Sequence, residues 1–171
     1  MNIRPETPAD FPALYDFIRE AFKTAKVSDG TEQDFVNKLR AGAKYIAELA
    51  LVAEEAGRII GHIMLTKTHI ASDNGSERTA LILAPLCVAL EERGKGYGAK
   101  LVEEAFLRAR KLGYDSCLLV GDPGYYGRFG FAPMSRFGLT SKQDIAPQYT
   151  LACELTPGAL FNAGGTVDFL G

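Results

Sequence analysis

The hydrophobic pattern near the start of the chain predicts two amphipathic helices. From residue 11 to residue 22, apolar side chains recur at spacings of three and four, which places them on one face of a helix. Thr7 lies just ahead of this pattern, where its hydroxyl suits a helix start. A second pattern begins at Thr31 and carries Phe35 and Leu39, so we expect a second helix there.

Apolar and β-branched runs in the rest of the chain predict strands. These runs cover residues 1–4, 49–54, 59–70, 79–90, 117–120 and 149–155. The cluster Ser72–Ser76 predicts a tight turn between two of them. Pro85 interrupts the run at 79–90. Because proline cannot donate a hydrogen bond to a strand ladder, we expect a bulge or a splayed strand at that point.

A glycine-rich turn and a helix connect two of these strands. The turn is Arg93-Gly94-Lys95-Gly96-Tyr97-Gly98, and a helical pattern then runs from Leu101 to Leu112. A strand, a helix and a second strand in this order favour a parallel strand pair. No repeat, low-complexity tract or linker interrupts the chain, so the simplest architecture is one mixed α/β domain over residues 1–171.

Composition and charge exclude several classes of function. Of the 171 residues, 47% are hydrophobic and 23% are charged, which is the balance of a globular domain. The formal net charge is −2, so the chain lacks the basic excess of a protein that binds nucleic acid. No apolar run reaches the ~18 residues of a membrane span, and no basic segment followed by an apolar one opens the chain. We therefore expect a cytoplasmic protein with neither nucleic acid nor membrane as a partner.

Three cysteines, Cys87, Cys117 and Cys153, are widely spaced along the chain. Metal sites use closely paired ligands, and disulfide scaffolds place many cysteines in a short chain. Each of the three lies in an apolar run, so we interpret them as buried small hydrophobic residues and expect no metal site.

The glycine turn, Arg93–Gly98, has the features of an anion site. Glycines let backbone N–H groups approach a ligand closely, and the following helix adds its unpaired N–H groups and the positive end of its dipole. A P-loop would need a second glycine followed by Lys and Ser or Thr, where the chain has Ala99-Lys100-Leu101. A dinucleotide fingerprint matches by letters, but a charged tetrapeptide separates the strand from Gly94, and Asp122 lies beyond the expected distance of about 20 residues.

A third pattern, Arg-x-x-Gly-x-Gly, is met by Arg93, Gly96 and Gly98. With the strand before it, the helix and strand after it, and Tyr126 ahead of Gly130-Phe131, the chain resembles the GCN5-related N-acetyltransferase (GNAT) family over about residues 80–131. The segment from Gly121 to Phe131 is similar to a prokaryotic subgroup of predicted acetyltransferases in that family.

The resemblance implies a GNAT-like acyl-CoA N-acyltransferase fold. Its central sheet is mixed and mostly antiparallel, has six to seven strands flanked by helices, and is splayed between the strands at about 80–90 and 116–121. The implied activity is transfer of an acetyl group from acetyl-CoA, a cosubstrate, to an amine by direct attack. The implied cofactor-binding residues are those of the glycine turn together with Leu86, Cys87 and Val88. A backbone N–H near Val88 would stabilise the charge that develops on the thioester oxygen.

Tyr126 matches the family tyrosine near the sulfur, so the resemblance implies that it is the general acid. A phenol, with its ordinary pKa of about 10, is protonated at neutral pH and can donate to a departing thiolate. Tyr125 and a purely packing role for Tyr126 are the alternatives. The family's usual Asn is absent before it, where Asp122 instead suits a helix cap, and Arg128 is interpreted as a solvated charge rather than a phosphate contact.

The sequence does not identify a general base or an acceptor. His62 and His69 lie on opposite faces of an unbroken strand, and we interpret both as structural or surface residues. A nucleophilic role for Cys87 is disfavoured because no partner base is visible.

The acceptor, which is either a small-molecule amine or a peptide amine, is expected around residues 22–32 and the Ser72–Glu77 turn. The segment after residue 131 either packs on the sheet or joins a homodimer. The alternative function is a CoA-binding regulator without efficient turnover.

Overall fold

The computed structural model describes residues 1–25 and 28–170. The chain divides into two compact units. The first comprises residues 1–66 and 84–108, and the second comprises residues 67–83 and 109–171. One domain over residues 1–171 stays a prediction.

The first unit contains the two predicted N-terminal helices and an antiparallel group of strands. The elements are β1 (Asn2–Pro5), α1 (Phe11–Phe22), α2 (Glu32–Ala41), β2 (Ala50–Glu55), β3 (Arg58–Ala71), β4 (Glu77–Val88) and α3 (Tyr97–Lys111). Strand β1 pairs with β2, and β2 pairs with β3, both antiparallel. Strand β3 and helix α3 end in the second unit, whereas β4 begins in the second unit and ends in the first.

The hydrophobic spacing of α1 explains how the helix packs. Leu14, Ile18 and Ala21 are spaced by four and three residues and are buried together. They share a core cluster with Val36 of α2 and Met64 of β3, both fully buried. The helices at residues 11–22 and from Thr31 onward are confirmed by this arrangement.

The second unit consists mainly of strands from the C-terminal half of the chain. Its elements are β5 (Ser116–Val120), a short helix α4 (Pro123–Tyr126), β6 (Ala132–Pro133), β7 (Leu139–Ser141), β8 (Thr150–Glu154) and β9 (Gly165–Val167). Strand β8 pairs antiparallel with both β5 and β6, and β9 pairs antiparallel with β3 and parallel with β7.

Strand β4 is continuous through Pro85, but its parallel pairing with β5 is short. The pairing joins Leu81 to Cys117 and Ile82 to Leu118, whereas the strand continues to Val88. The parallel pair and the opening after it are confirmed. Nine strands occur among the described residues rather than six or seven, because β6, β7 and β9 have only two or three residues each and leave no clear hydrophobic period.

The segment after residue 131 packs within the second unit. Met134, Leu139, Leu160 and Val167 from this segment are buried in one core cluster. Of the two options left by the sequence, packing on the sheet is therefore observed through β6 to β9. Within the described ranges, no helix has both the length and the apolar character that a membrane crossing requires.

Candidate active site

The glycine turn lies between the end of β4 and the first residues of α3. Gly94 and Gly96 have φ angles of 77° and 82°, a left-handed conformation that favours glycine. A Cβ atom on either residue would meet no protein atom within 4 Å, so the space beside the turn is open. Helix α3 begins at Tyr97, and the first N–H groups of a helix have no partner inside it. This backbone arrangement fits an anion such as a pyrophosphate.

The two basic side chains of the turn are held by other groups of the protein. The Lys95 ammonium lies 2.7 Å from a Glu92 carboxylate oxygen. The Arg93 guanidinium donates to the backbone oxygens of Val88 and Ala21 and to the hydroxyl of Thr24. Sequence reasoning missed these contacts, because Ala21 and Thr24 are some 70 residues away along the chain. The backbone is thus the main polar surface that the turn presents.

The last residues of β4 precede the turn in the same unit. Leu86 and Val88 are half-buried, and Cys87 between them is buried. Burial raises the pKa of the Cys87 thiol to about 12, although the Arg93 charge slightly opposes this effect. A thiol with this pKa is protonated at neutral pH, which argues against nucleophilic catalysis by Cys87. All three cysteines are buried and free, as the sequence indicates.

Tyr126 lies in the second unit, at the end of α4, in a group of aromatic rings. Its ring centroid is 4.9 Å from that of Tyr125 and 5.8 Å from that of Phe131, both edge-on. A Cβ atom on Gly121 would lie 2.6 Å from the Tyr126 ring, so only glycine permits this close approach. Gly121 lies in the segment where the family's usual Asn is absent, and it makes room for the ring of Tyr126, the predicted general acid.

Asp122 caps α4, because its carboxylate accepts a hydrogen bond of 2.8 Å from the backbone N–H of Gly124. The capping role is confirmed. Arg128 is exposed, donates to the Tyr125 carbonyl oxygen, and lies over the Tyr125 ring at 4.7 Å. Its guanidinium thus contacts Tyr125 as well as solvent.

A buried polar cluster in the first unit was not visible in the sequence. The Glu6 carboxylate accepts two hydrogen bonds from Arg40, at 2.7 and 2.8 Å, and one from the Tyr45 hydroxyl at 3.0 Å. His62 Nε2 lies 2.8 Å from Glu6 Oε2, with both side chains fully buried. We call these four residues the Glu6 cluster.

The pKa shifts in the Glu6 cluster follow from burial and pairing. Burial alone would raise the pKa of Glu6, but the hydrogen bonds from Arg40 and His62 outweigh it and lower the pKa to about 2. Burial lowers the pKa of His62, and the neighbouring Glu6 opposes this only in part. His62 is thus a neutral structural residue, whereas His69 is exposed, which confirms the predicted roles.

The expected acceptor regions fall in different units. Residues 22–25 and 28–32 flank two positions, 26 and 27, that lie outside the described residues. In the second unit, the 72–78 turn and residues 162–164 line a cavity of about 560 Å³. Among the residues that the structure describes, no group of three or more His, Cys, Asp or Glu side chains is arranged to hold a metal ion.

Comparisons with known proteins identify the family of the chain. Residues 2–134 match the acetyltransferase (GNAT) domain family. The uncharacterized N-acetyltransferase YhbS of Escherichia coli K12 is 31% identical over 170 residues, which cover 99% of this chain and 96% of that protein. The crystal structure of YhbS from Escherichia coli in complex with CoA has a TM-score of 0.86 at 27% identity, covering 98% of this chain and 88% of that one.

A GNAT family acetyltransferase from Brucella melitensis, solved in complex with acetyl-CoA, is a second similar structure. It is 31% identical with a TM-score of 0.78, and the match covers 97% of this chain and 93% of that one. These matches extend well beyond residues 80–131, over nearly the whole chain. The chain belongs to the GNAT family of acetyltransferases.

Proposed function

We propose that this protein binds acetyl-CoA at the glycine turn and transfers the acetyl group to an amine. The observation that carries the proposal is the open, left-handed backbone of Gly94 and Gly96 at the start of α3. The pyrophosphate would accept hydrogen bonds from backbone N–H groups of the turn, whose other residues are Arg93, Lys95, Tyr97 and Gly98. The complexes of similar proteins with CoA and acetyl-CoA support this choice of ligand.

The end of β4 is proposed to hold the pantetheine arm. Leu86, Cys87 and Val88 follow the short paired region of β4, where an extended ligand can add to a strand edge. The Val88 carbonyl oxygen already accepts from Arg93. A backbone N–H near Val88 would stabilise the charge that develops on the thioester oxygen, which is worth about 3 kcal/mol in other enzymes.

The proposed chemistry is direct attack. Acetyl-CoA supplies an activated acetyl group as its thioester. The nitrogen of a neutral amine forms a bond to the carbonyl carbon and loses one proton to water. The carbon–sulfur bond breaks, and the departing sulfur takes up a proton. The protonated, buried Cys87 thiol favours this route over a covalent acetyl-enzyme.

Tyr126 is proposed as the general acid that supplies this proton. The proposal is supported by the family match, which includes residue 126, and by the room that Gly121 leaves for the ring. The tight aromatic packing around Tyr126 is the competing explanation for this residue.

The enzymatic activity is tested by CoA release. Purified protein is mixed with acetyl-CoA and a broad panel of small amines, aminoglycosides and peptides, and free thiol is measured. Thiol release that depends on the amine supports the proposal. Tight CoA binding without any release above background would instead establish a CoA-binding regulator.

The role of Tyr126 is tested by Tyr126→Phe. We expect kcat to fall by about a hundredfold, the lower end for general acid catalysis, while the affinity for acetyl-CoA changes little. Tyr125→Phe is the matched control, because Tyr125 is an adjacent half-buried ring in the same aromatic group. An unchanged kcat in Tyr126→Phe would leave Tyr126 as a packing residue, and a fall in Tyr125→Phe alone would transfer the role to Tyr125.

A further inference from the structure

The Arg93 side chain joins three segments of the first unit. Its Nε donates to the Val88 carbonyl oxygen at 3.3 Å, at the end of β4. One terminal nitrogen donates to the Thr24 hydroxyl at 2.9 Å, and the other donates to the Ala21 carbonyl oxygen in the last turn of α1. The guanidinium therefore connects the glycine turn to the segment in which α1 ends.

The contact with Ala21 fills a specific gap at the end of α1. The last four carbonyl groups of a helix have no partner inside it. The carbonyl oxygens of Glu20 and Phe22 accept from the backbone N–H groups of Lys23 and Ala25. The carbonyl between them, Ala21, accepts from Arg93. A cation at this position also stabilises the negative end of the helix dipole.

We propose that Arg93 is a positioning residue that couples CoA binding at the glycine turn to the order of residues 21–25. These residues lie at the start of one of the two regions in which the acceptor is expected. Arg93 acts through its contacts with α1 and Thr24 and not as a phosphate ligand. The inference rests on the proposed function only for the place of the CoA phosphates.

The physical basis is that Arg93 belongs to the glycine turn through its backbone and contacts Ala21 and Thr24 through its side chain. Phosphates bound at the backbone of residues 94–98 restrict the turn, and the Arg93 side chain then has less freedom to leave Ala21 and Thr24. A ligand that orders one end of such a contact lowers the entropic cost of ordering the other end. By linkage, loss of the contact must weaken CoA binding by the same factor that CoA strengthens the contact.

Amide hydrogen exchange of the wild-type protein, with and without saturating CoA, provides the first test. Protection of residues 94–98 tests the proposed CoA site, and protection of residues 21–25 tests the coupling. We expect exchange at 21–25 to slow by on the order of fivefold, the lower end of measured coupling energies. Protection at 94–98 without protection at 21–25 would overturn the coupling but keep the CoA site. No protection at 94–98 would count against the site itself.

The second test uses Arg93→Met, which keeps the length of the side chain but removes all of its donors. CoA should still protect residues 94–98 but no longer residues 21–25, and CoA affinity should fall by about the same fivefold factor. Arg93→Lys should restore part of the coupling, because an ammonium can replace one of the three contacts. Arg19→Met is the control, since it removes an exposed arginine from the same helix.

Salt dependence separates the coupling role from direct phosphate binding. An arginine that neutralises a phosphate makes CoA affinity fall more steeply with salt, because salt screens exposed charge pairs. We expect the slope of affinity against salt to be the same in wild type and Arg93→Met. A shallower slope in the variant, or retained protection of residues 21–25 by CoA, would refute the proposal.

Discussion

The glycine turn takes its polar groups from six consecutive residues, whereas the Glu6 cluster takes its groups from four separate parts of the chain. The turn is exposed for most of its length and offers backbone N–H groups toward open space. The cluster is closed, because the side chains of Glu6 and His62 are fully buried and that of Arg40 is 6% exposed. Both regions lie in the first unit.

The difference shows how the two regions contribute to the protein. A binding site made of backbone groups depends on the conformation of the chain, and it requires only the glycines that allow the left-handed φ angles. A buried ionic cluster depends on mutual pairing, because removal of one ionised member leaves its charged partner buried and unsatisfied. We therefore expect changes in the turn to affect ligand binding and changes in the Glu6 cluster to affect folding.

Glu6→Ala should have the largest effect on stability. It leaves the Arg40 guanidinium without its buried counter-ion, and we expect a loss of about 3–5 kcal/mol in the free energy of unfolding. Urea denaturation followed by circular dichroism measures this loss. Glu91→Ala is the control, since Glu91 is an exposed carboxylate in the same unit. A loss below about 1 kcal/mol would show that the cluster is not a tightly coupled network.

Gly96→Val should separate ligand binding from folding. The branched side chain disfavours the φ angle of 82° and enters the open space beside the turn. We expect CoA affinity, measured by calorimetry, to fall about a hundredfold, which corresponds to ~2.7 kcal/mol. Gly57→Val is a matched control, because Gly57 has a φ of 75° and similar open space in the β2–β3 turn. Equal CoA affinity in the two variants would exclude the turn as the phosphate site.

Acid should destabilise the protein through the Glu6 cluster. The pKa of His62 is lower in the folded state than in the unfolded chain, so the unfolded state binds a proton first as pH falls below about 6.5. Glu6 also has a lowered pKa, so its stabilisation is full above about pH 4.5 and is lost as pH falls toward 2. Both effects reduce stability on the acid side.

The urea midpoint between about pH 7.5 and pH 5 measures the contribution of His62. Over this range Glu6 stays mostly ionised in both states, so most of the decline in stability that we expect comes from the histidine. His62→Gln keeps a neutral donor near Glu6 and should flatten the decline, whereas His69→Gln, at an exposed position, should not. An equally steep decline in His62→Gln would remove His62 as the source.

Local patterns in the sequence predicted most of the first unit and the glycine turn. The period of α1, the proline in β4 and the glycine spacing are each contained within a few residues, and the structure has the corresponding elements. The Glu6 cluster was not predictable, because Glu6, Arg40 and His62 are each unremarkable polar residues until the fold brings them together. The room that Gly121 leaves for Tyr126 depends in the same way on tertiary packing.

Loss of the exposed ion pair of Arg58 and Glu91 should have the smallest effect on the stability of the fold. Its atoms are 3.0 Å apart, the same distance as the Tyr45–Glu6 contact of the Glu6 cluster, but the two side chains are 64% and 61% exposed. Water already solvates both charges, so the loss of one partner leaves no unsatisfied buried group. Arg58→Met should leave the urea midpoint within the scatter of replicate measurements, while Arg40→Met lowers it clearly. If the two variants changed the midpoint equally, burial would not be the reason that the Glu6 cluster stabilises the fold.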